Sequence, residues 1–211
     1  MKDIGIFGTE GHARELGDIA CELGYRVIYV ARDQSEVDTW TFPDEVILES
    51  DVGGHRNMVF AIGIGKNAVR QKLAQRFSDT LRFANLIHPN ATFGQRQRDA
   101  IESRQGIVVC SGVSFTNNIR VGDFTVFNRN ATIGHDGIVD DFVNVAPGAC
   151  ISGNVHLGVR CWIGAGAVVN QGTANAKLLI GADTIIGSGA VVIKTCEPNA
   201  VFVGVPARRI K

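Results

Sequence analysis

From Val121 onward, aliphatic or aromatic residues recur at every sixth position of the chain. The positions are Val121, Phe127, Ile133, Val139, Val145, Ile151, Leu157, Ile163 and Val169, followed after an interruption by Ile180, Ile186 and Val192. An α-helix repeats every 3.6 residues and a strand every two, so neither explains a period of six. A period of six predicts a solenoid, in which each short strand and turn sends one side chain into a shared core.

This pattern resembles the hexapeptide-repeat, left-handed parallel β-helix. In that fold three hexapeptides form one triangular coil, so residues eighteen apart are stacked. Two segments lack the period: Gln95–Gln105 is polar and charged, and Asn170–Leu179 separates the two runs. We therefore expect an irregular first coil and a loop that bulges from a later one.

Residues 1–84 have a different pattern, in which short apolar runs alternate with amphipathic segments. The alternation predicts a parallel sheet with a crevice at the carboxyl ends of its strands. Gly24 is expected to end the first helix. The predicted strands are Ile4–Phe7, Tyr25–Ala31, Met58–Ile62 and Leu81–Leu86; the predicted helices are Ala13–Leu23, with Ala13, Leu16, Ile19, Ala20 and Leu23 on one face, and a second marked by Val69, Leu73 and Phe77.

Two glycine-containing turns join a predicted strand to a predicted helix, at Gly8–His12 and at Gly63–Asn67. Backbone N–H groups at the start of a helix suit a phosphate, although such glycines also serve simply to permit tight turns. Neither turn completes the GxGxxG fingerprint or a Walker A motif, which disfavours a nicotinamide oxidoreductase. The candidates for substrate binding in this part are Gly8, Gly11, His12, Gly63 and Asn67, with Asp33 just after the second strand.

Composition narrows the function further. The 21 acidic and 21 basic residues cancel, which argues against a general binder of nucleic acid or anionic membranes. The five cysteines form no CxxC pair and are expected to be reduced thiols. We expect a cytoplasmic protein, because no apolar leader and no run of about 18 apolar residues occurs. No three-histidine arrangement stands out, so no metal is predicted.

A series of short motifs, in order along the whole chain, resembles one family. They are Gly11-His12-Ala13-Arg14-Glu15-Leu16, Ala61-Ile62-Gly63 with Asn67 and Arg70, His88-Pro89-Asn90-Ala91, Ile133-Gly134-His135-Asp136, Val145-Ala146-Pro147-Gly148-Ala149, Ile163-Gly164-Ala165-Gly166-Ala167 and Val203-Gly204-Val205-Pro206-Ala207. The chain resembles the bacterial sugar acetyltransferases typified by sialic acid O-acetyltransferase (NeuD-like) and UDP-4-amino-sugar N-acetyltransferase (PglD-like). Two departures stand out: Glu10 lies in a turn where the family has small residues, and Asn144 occupies a place where relatives often have a second histidine.

The resemblance implies an α/β, Rossmann-like domain that binds a nucleotide sugar (residues 1–84), followed by a left-handed β-helix that carries acetyltransferase activity (residues 85–211). It further implies a homotrimer with active sites between neighbouring β-helices. Asn128 matches a family asparagine near the acceptor sugar. Acetyl-CoA is expected to lie along small residues of later coils, at Gly153, Gly164, Ala165 and Gly187.

Acetyl transfer from a thioester needs a base for the proton of the nucleophile and donors for the oxyanion of the tetrahedral intermediate. His135 is the best candidate for the base, because imidazole titrates near neutral pH, and Asp136 is suited to orient it. Gly153 lies eighteen residues after His135, so its N–H group is expected one coil above the imidazole, about 4.8 Å away.

The leading hypothesis is an acetyl-CoA-dependent N-acetyltransferase that acts on a nucleotide-linked 4-amino-4,6-dideoxy sugar in bacterial surface glycan biosynthesis. The alternatives are O-acetylation of sialic acid or a related nonulosonic acid, and a non-catalytic trimer that binds a nucleotide sugar. The His135–Asp136 pair argues against the non-catalytic alternative.

Overall fold

The computed structural model of the chain describes residues 2–211. Its N-terminal part is a five-stranded parallel sheet in the order β3-β2-β1-β4-β5, flanked by helices. The strand order reverses between β1 and β4, and Gly8 and Gly63 directly follow these two strands. In such sheets, ligands bind where the order reverses. The elements are β1 (Lys2–Phe7), α1 (Gly11–Glu22), β2 (Tyr25–Ala31), α2 (Gln34–Asp38), β3 (Glu45–Leu48), a 3₁₀ helix (Glu49–His55), β4 (Val59–Ile62), α3 (Asn67–Phe77) and β5 (Arg82–Phe83).

The structure corrects three predictions for this part. The segment Leu81–Leu86 is not one strand: Arg82–Phe83 ends the sheet, and the chain then crosses to the second part of the molecule. The crossing is fixed by Asn85, whose side chain donates to Arg104 O and accepts from Ile107 N. Leu23 is 37% exposed, because it caps α1 instead of lying on its buried face. The pattern also missed α2 and β3.

Residues 86–211 form a solenoid with three parallel sheets, which we call the first, second and third faces. In chain order the first face holds β6, β8, β11, β14, β17, β20, β22 and the antiparallel β23; the second holds β7, β9, β12, β15, β18 and β21; the third holds β10, β13, β16 and β19. The elements are β6 (Leu86–Ile87), β7 (Thr92–Phe93), α4 (Gln97–Glu102), β8 (Val108–Val109), β9 (Ser114–Phe115), β10 (Arg120–Val121), β11 (Val126–Phe127), β12 (Thr132–Ile133), β13 (Ile138–Val139), β14 (Asn144–Val145), β15 (Cys150–Ile151), β16 (Val155–Leu157), β17 (Trp162–Ile163), β18 (Val168–Val169), β19 (Leu178–Ile180), β20 (Ile185–Ile186), β21 (Val191–Val192), β22 (Val201–Val203) and β23 (Arg208–Arg209).

The six-residue period produces this arrangement directly. Each strand of the regular coils pairs with the strand eighteen residues later, as Phe127 does with Val145. All twelve residues of the period are buried, none more than 9% exposed. The prediction that they form a shared core is therefore confirmed.

Both interruptions of the period are insertions that follow a strand of the second face. Helix α4 takes the place of a third-face strand in the first coil, so Phe93 pairs with Phe115, twenty-two residues later. The second insertion, residues 170–177, leads from β18 to β19, and Leu157 then pairs with Ile180. The predicted loop at Asn170–Leu179 exists, although its last two residues already belong to β19.

Four-residue turns join the faces, and we name them by the face that they leave: first, second and third edge. The third residue of most turns has a φ near +55 to +70°, a conformation that favours Gly, Asn and Asp. The third edge differs, because bulky Phe124, Phe142 and Arg160 occupy that position in successive coils. This edge is where the N-terminal part packs.

Helix α3 attaches the N-terminal part to the third edge through Arg70 and Asn67. The Arg70 side chain is 1% exposed and donates to the backbone oxygens of Phe124 and Phe142. It also donates to Ile64 O and Gly65 O of the second glycine turn. The Asn67 amide donates to Arg160 O and Cys161 O, and its oxygen accepts from Arg70. Two side chains thus fix the glycine turn and three coils of the solenoid relative to each other.

Candidate active site

A cleft of about 810 Å³ lies between the N-terminal sheet and the solenoid. One wall is formed by the two glycine turns and the end of β2. The opposite wall is formed by four solenoid residues, namely Arg160, Trp162, Asp183 and Ile185. The cleft therefore lies at the carboxyl end of the parallel sheet, where the sequence predicts a crevice.

Two of the predicted glycines have a packing role at this cleft. Gly8 has a φ of +108°, and a Cβ atom there would lie 2.9 Å from Ile64 Cδ1. A Cβ atom on Gly63 would lie 2.6 Å from Ala13 Cα of helix α1. Gly11 differs, since the nearest atom to a Cβ would be Arg14 Nη2 at 3.9 Å, and it does not line the cleft. Only Gly8 and Gly63 are required by the close approach of the two turns.

His12 lines the cleft and is largely buried, with 18% of its side chain exposed. Its Nδ1 lies 3.4 Å from Glu15 Oε2, and its buried Nε2 has no hydrogen-bond partner among residues 2–211. Burial lowers the pKa of the imidazole, and the nearby Glu15 opposes this effect in part. His12 thus holds a buried, unpaired polar atom in the wall of the cleft.

Two other predicted substrate residues are occupied by contacts within the protein. Asn67 lines the cleft, but its amide group is bound to the solenoid and to Arg70. Asp33 does not line the cleft: its carboxylate caps α2 through Glu36 N and accepts from Arg32 Nε. The Glu36 carboxylate lies in the cleft instead, where it accepts from Arg32 N at 2.9 Å.

The charges in the cleft are mostly paired. Arg160 and Asp183 form an ion pair at 2.6 Å, and Arg32 and Glu36 form one at 3.4 Å. Lys66, at the N-terminus of α3, has no carboxylate within 4 Å among the residues described. The sequence pattern did not predict that Lys66, Glu36 and the four residues of the solenoid wall line the cleft. For Lys66, its position at the start of the second predicted helix was an indication of a role in binding.

His135 and Asp136 lie on the second edge, away from the cleft. His135 Nδ1 is 2.7 Å from Asp136 Oδ2, and the two side chains are 54% and 42% exposed. The carboxylate also accepts from Asn118 Nδ2. Bonds from His135 and Asn118 lower the pKa of Asp136 and keep it ionised. A carboxylate at Nδ1 holds the proton on that nitrogen, which leaves Nε2 free to accept one.

Gly153 lies directly against the His135 ring. A Cβ atom on Gly153 would be 2.5 Å from His135 Nε2 and 2.6 Å from Cε1, so only glycine allows the ring its position. The backbone continues the stack, since Asn154 N donates to His135 O at 2.9 Å. The Gly153 N–H group makes no hydrogen bond within residues 2–211. Gly153 therefore combines a close contact with the imidazole and an unpaired N–H group.

The other predicted residues lie on the first edge. Gly164, Ala165 and Gly187 occupy stacked turns there, and a Cβ atom on Gly164 would lie 2.5 Å from Ser188 N. Asn128 lies in an earlier turn of that edge, and its oxygen accepts from Arg129 N. Asn144 is buried in β14 of the first face and does not accompany His135.

The structure thus leaves Gly11 and Asp33 outside any site and divides the other predicted residues among three places. Gly8, His12, Gly63 and Asn67 meet at the cleft, and His135, Asp136 and Gly153 meet on the second edge. Asn128, Gly164, Ala165 and Gly187 lie on the first edge. Within one chain these three sets remain separate.

Comparison with known proteins agrees with this arrangement over the full chain. Residues 3–77 match the family described as PglD N-terminal domain. The chain is 28% identical to a GDP-perosamine N-acetyltransferase of Escherichia coli O157:H7, over 100% of this chain and 97% of that protein. The chain is therefore similar to the PglD-like sugar acetyltransferases along its whole length.

Solved structures extend this similarity to both parts of the chain. PerB from Caulobacter crescentus, in complex with CoA and GDP-perosamine, has a TM-score of 0.86 and 26% identity, over 100% of this chain and 98% of that one. WeeI from Acinetobacter baumannii AYE has a TM-score of 0.87 and 26% identity, over 100% of both chains. The chain is accordingly an acyltransferase.

Residues 2–211 contain neither a membrane-spanning helix nor a cluster of metal-ligating side chains. No helix there has both the length and the apolar character needed to cross a membrane. In the same residues, no three His, Cys, Asp or Glu side chains are grouped so as to hold a metal ion.

Proposed function

We propose that the protein transfers the acetyl group of acetyl-CoA to the amine of a nucleotide-linked 4-amino-4,6-dideoxy sugar. The observation that carries the proposal is the His135–Asp136 pair, whose ring lies against Gly153, a residue with an unpaired N–H group. The relatives supply the substrate class: one is a GDP-perosamine N-acetyltransferase, and PerB binds CoA and GDP-perosamine.

The chemistry follows from this geometry. The neutral amine of the sugar attacks the thioester carbonyl, and His135 Nε2 takes the proton that the new ammonium loses. The Gly153 N–H group donates to the oxyanion of the tetrahedral intermediate. The intermediate then collapses, the carbon–sulfur bond breaks, and the imidazolium returns its proton to the departing thiolate of CoA. Asp136 stabilises the imidazolium between these two steps.

The cleft is the proposed site of the nucleotide diphosphate. The N–H groups at the start of α3 and the ammonium of Lys66 are suited to the phosphates. Buried Arg70 adds a positive charge behind the same turn, since all its hydrogen bonds go to uncharged oxygens. Gly8, Gly63 and His12 contribute to the cleft by close packing and an unpaired ring nitrogen.

We also propose that the active protein is a homotrimer. The His135 edge is open in one chain, and the cleft lies on another edge, so a neighbouring subunit is needed to bring a nucleotide sugar to the imidazole. Head-to-tail contacts close into a ring at three subunits. We further assign residues 1–84 to the domain that binds the nucleotide sugar and residues 85–211 to a left-handed β-helix. Acetyl-CoA is proposed to lie along the first edge, at Gly164, Ala165 and Gly187, and the protein is proposed to be cytoplasmic.

The test is thiol release from acetyl-CoA with a panel of acceptors, combined with calorimetric titration of the nucleotides. We expect turnover with GDP-perosamine or a related nucleotide 4-amino sugar, and binding of the corresponding nucleoside diphosphate. Transfer to sialic acid, with no binding of any nucleotide, would overturn the proposal. Sedimentation equilibrium should give a mass near three times 22.6 kDa, and a stable species of 22.6 kDa would refute the trimer.

A further inference from the structure

Asp136 is held by two residues outside the His135–Asp136 pair. From the coil below, Asn118 Nδ2 donates to Asp136 Oδ1 at 2.5 Å. From two coils above, Lys177 Nζ donates to the backbone oxygen of Asp136, also at 2.5 Å. One contact fixes the carboxylate and the other fixes the turn that carries it.

Each of these residues is positioned by one of the two insertions in the solenoid. Gln97 of α4 is 3% exposed; its amide donates to Ile119 O and accepts from Ile119 N, beside Asn118. Lys177 is the last residue of the inserted loop 170–177. The irregular segments therefore lie on either side of the histidine turn and supply the contacts that a regular coil lacks.

We propose that Asn118 and Lys177 are positioning residues for acetyl transfer, which hold Asp136 so that its carboxylate keeps the His135 ring against Gly153. The inference rests on the proposed function. Without Asn118, one oxygen of the half-exposed carboxylate loses its fixed donor, and the carboxylate is free to turn away from Nδ1. The ring is then no longer held against Gly153.

The first variant is Asn118→Gly, which removes the amide and retains the left-handed turn, since Asn118 has a φ of 55°. We expect kcat to fall about 10- to 100-fold with both KM values unchanged, because the loss is one of orientation. The matched control is Asn199→Gly, a left-handed turn residue (φ 56°) outside the site. Equal kcat in the two variants would overturn the role of Asn118.

Asn118→Asp is a second, independent test, which uses the pH profile. The variant replaces a donor that lowers the pKa of Asp136 with a second carboxylate, and two adjoining carboxylates do not both stay ionised, so Asp136 is protonated at higher pH and the acidic limb of kcat/KM should move to higher pH. An unchanged limb would contradict the proposal even if Asn118→Gly proved unstable.

Lys177 is tested with Lys177→Met and the conservative Lys177→Arg. We expect the methionine variant to lower kcat and the arginine variant to restore most of it. Equal activity of both variants and the wild type would remove Lys177 from the proposal.

His135→Ala distinguishes failure of this inference from failure of the proposed function. If His135→Ala retains full turnover, the assignment of the base is wrong. If His135→Ala loses turnover while the Asn118 and Lys177 variants keep it, only the positioning role is refuted.

Discussion

The cleft and the His135 edge use glycine for the same purpose and differ in almost everything else. In both, a missing side chain lets a second group approach closely: Gly63 admits α1, and Gly153 admits the His135 ring. The cleft, however, is enclosed by two parts of the chain and fixed by buried Arg70. The edge is open, and its two key side chains are about half exposed.

The difference shows what each architecture provides. A solenoid repeats its turns at a fixed spacing, so it places two groups such as His135 and Gly153 at a defined separation. A single edge of that solenoid does not surround a ligand. The α/β part, with its varied loops, provides enclosure. A chain that contains both parts can bind the nucleotide sugar in one region and transfer the acetyl group in the other. Variants in each region test whether the two functions are separate.

The largest expected effect comes from His135→Ala. Loss of the base should lower kcat by about 10² to 10⁴-fold. Binding of the nucleotide sugar should be unchanged, because the cleft does not include His135. Thiol-release kinetics and calorimetry measure the two quantities separately. Loss of nucleotide binding together with turnover would show that the two regions are not separate.

Arg70→Met tests the other region. The variant leaves the buried carbonyl oxygen of Phe124 and the partly buried ones of Ile64 and Phe142 without their donor, at about 1–3 kcal/mol each. We expect the free energy of unfolding to fall by at least about 3 kcal/mol, measured by urea denaturation. The control Arg98→Met removes an exposed ion pair with Glu102 and should cost no more than about 1 kcal/mol. Similar losses in both variants would argue against the role of Arg70 in joining the two parts.

Gly153→Ala sharpens the description of the edge. The added methyl group would lie 2.5 Å from His135 Nε2 and displace the ring. A displacement of about 1 Å costs up to about 10²-fold in kcat. Gly53→Ala, where a Cβ atom would meet nothing within 4 Å, is the matched control for the same chemical change. Wild-type kcat in Gly153→Ala would mean that the ring does not need this position.

The smallest expected effect concerns pH and the cleft. Burial lowers the pKa of His12 below its ordinary 6.5, so folding favours the neutral ring. The contribution of His12 to stability is therefore complete above pH 6.5 and is lost as the pH falls from 6.5 through the lower pKa of the folded state. As the pH is lowered below 6.5, we expect the melting temperature of His12→Gln to fall less steeply than that of the wild type. His55→Gln is the control, and an equal slope for His12→Gln and the wild type would contradict the assignment.

The sequence predicts the solenoid well, because its period of six is itself the repeat of the structure. It also predicts the stacking of Gly153 on His135, since both follow from the spacing of eighteen. Asn118 lies eighteen residues before Asp136, so the same spacing predicts that the two residues are stacked and in contact.

Other features had no such signal. The contacts of Arg70 and Asn67 with the third edge depend on how α3 packs against the solenoid, and no local pattern records that packing. The break between Phe83 and Leu86 lies within a continuous apolar pattern, and only the side chain of Asn85 marks it. Glu36 replaces Asp33 in the cleft because Asp33 is used as a helix cap, a choice between neighbouring acids that spacing does not resolve.

The attachment of α3 to the third edge has a consequence for how the protein opens. In a solenoid each coil contacts only its neighbours, so coils can open one after another from an end. Arg70 and Asn67 bind the turns at Phe124, Phe142 and Arg160, which belong to three successive coils. Those coils, which include His135, open together with the N-terminal sheet as one cooperative unit. Hydrogen exchange should therefore be slow and concerted in the hydrogen-bonded strand amides of those three coils, and faster in the last coil, beyond Val192.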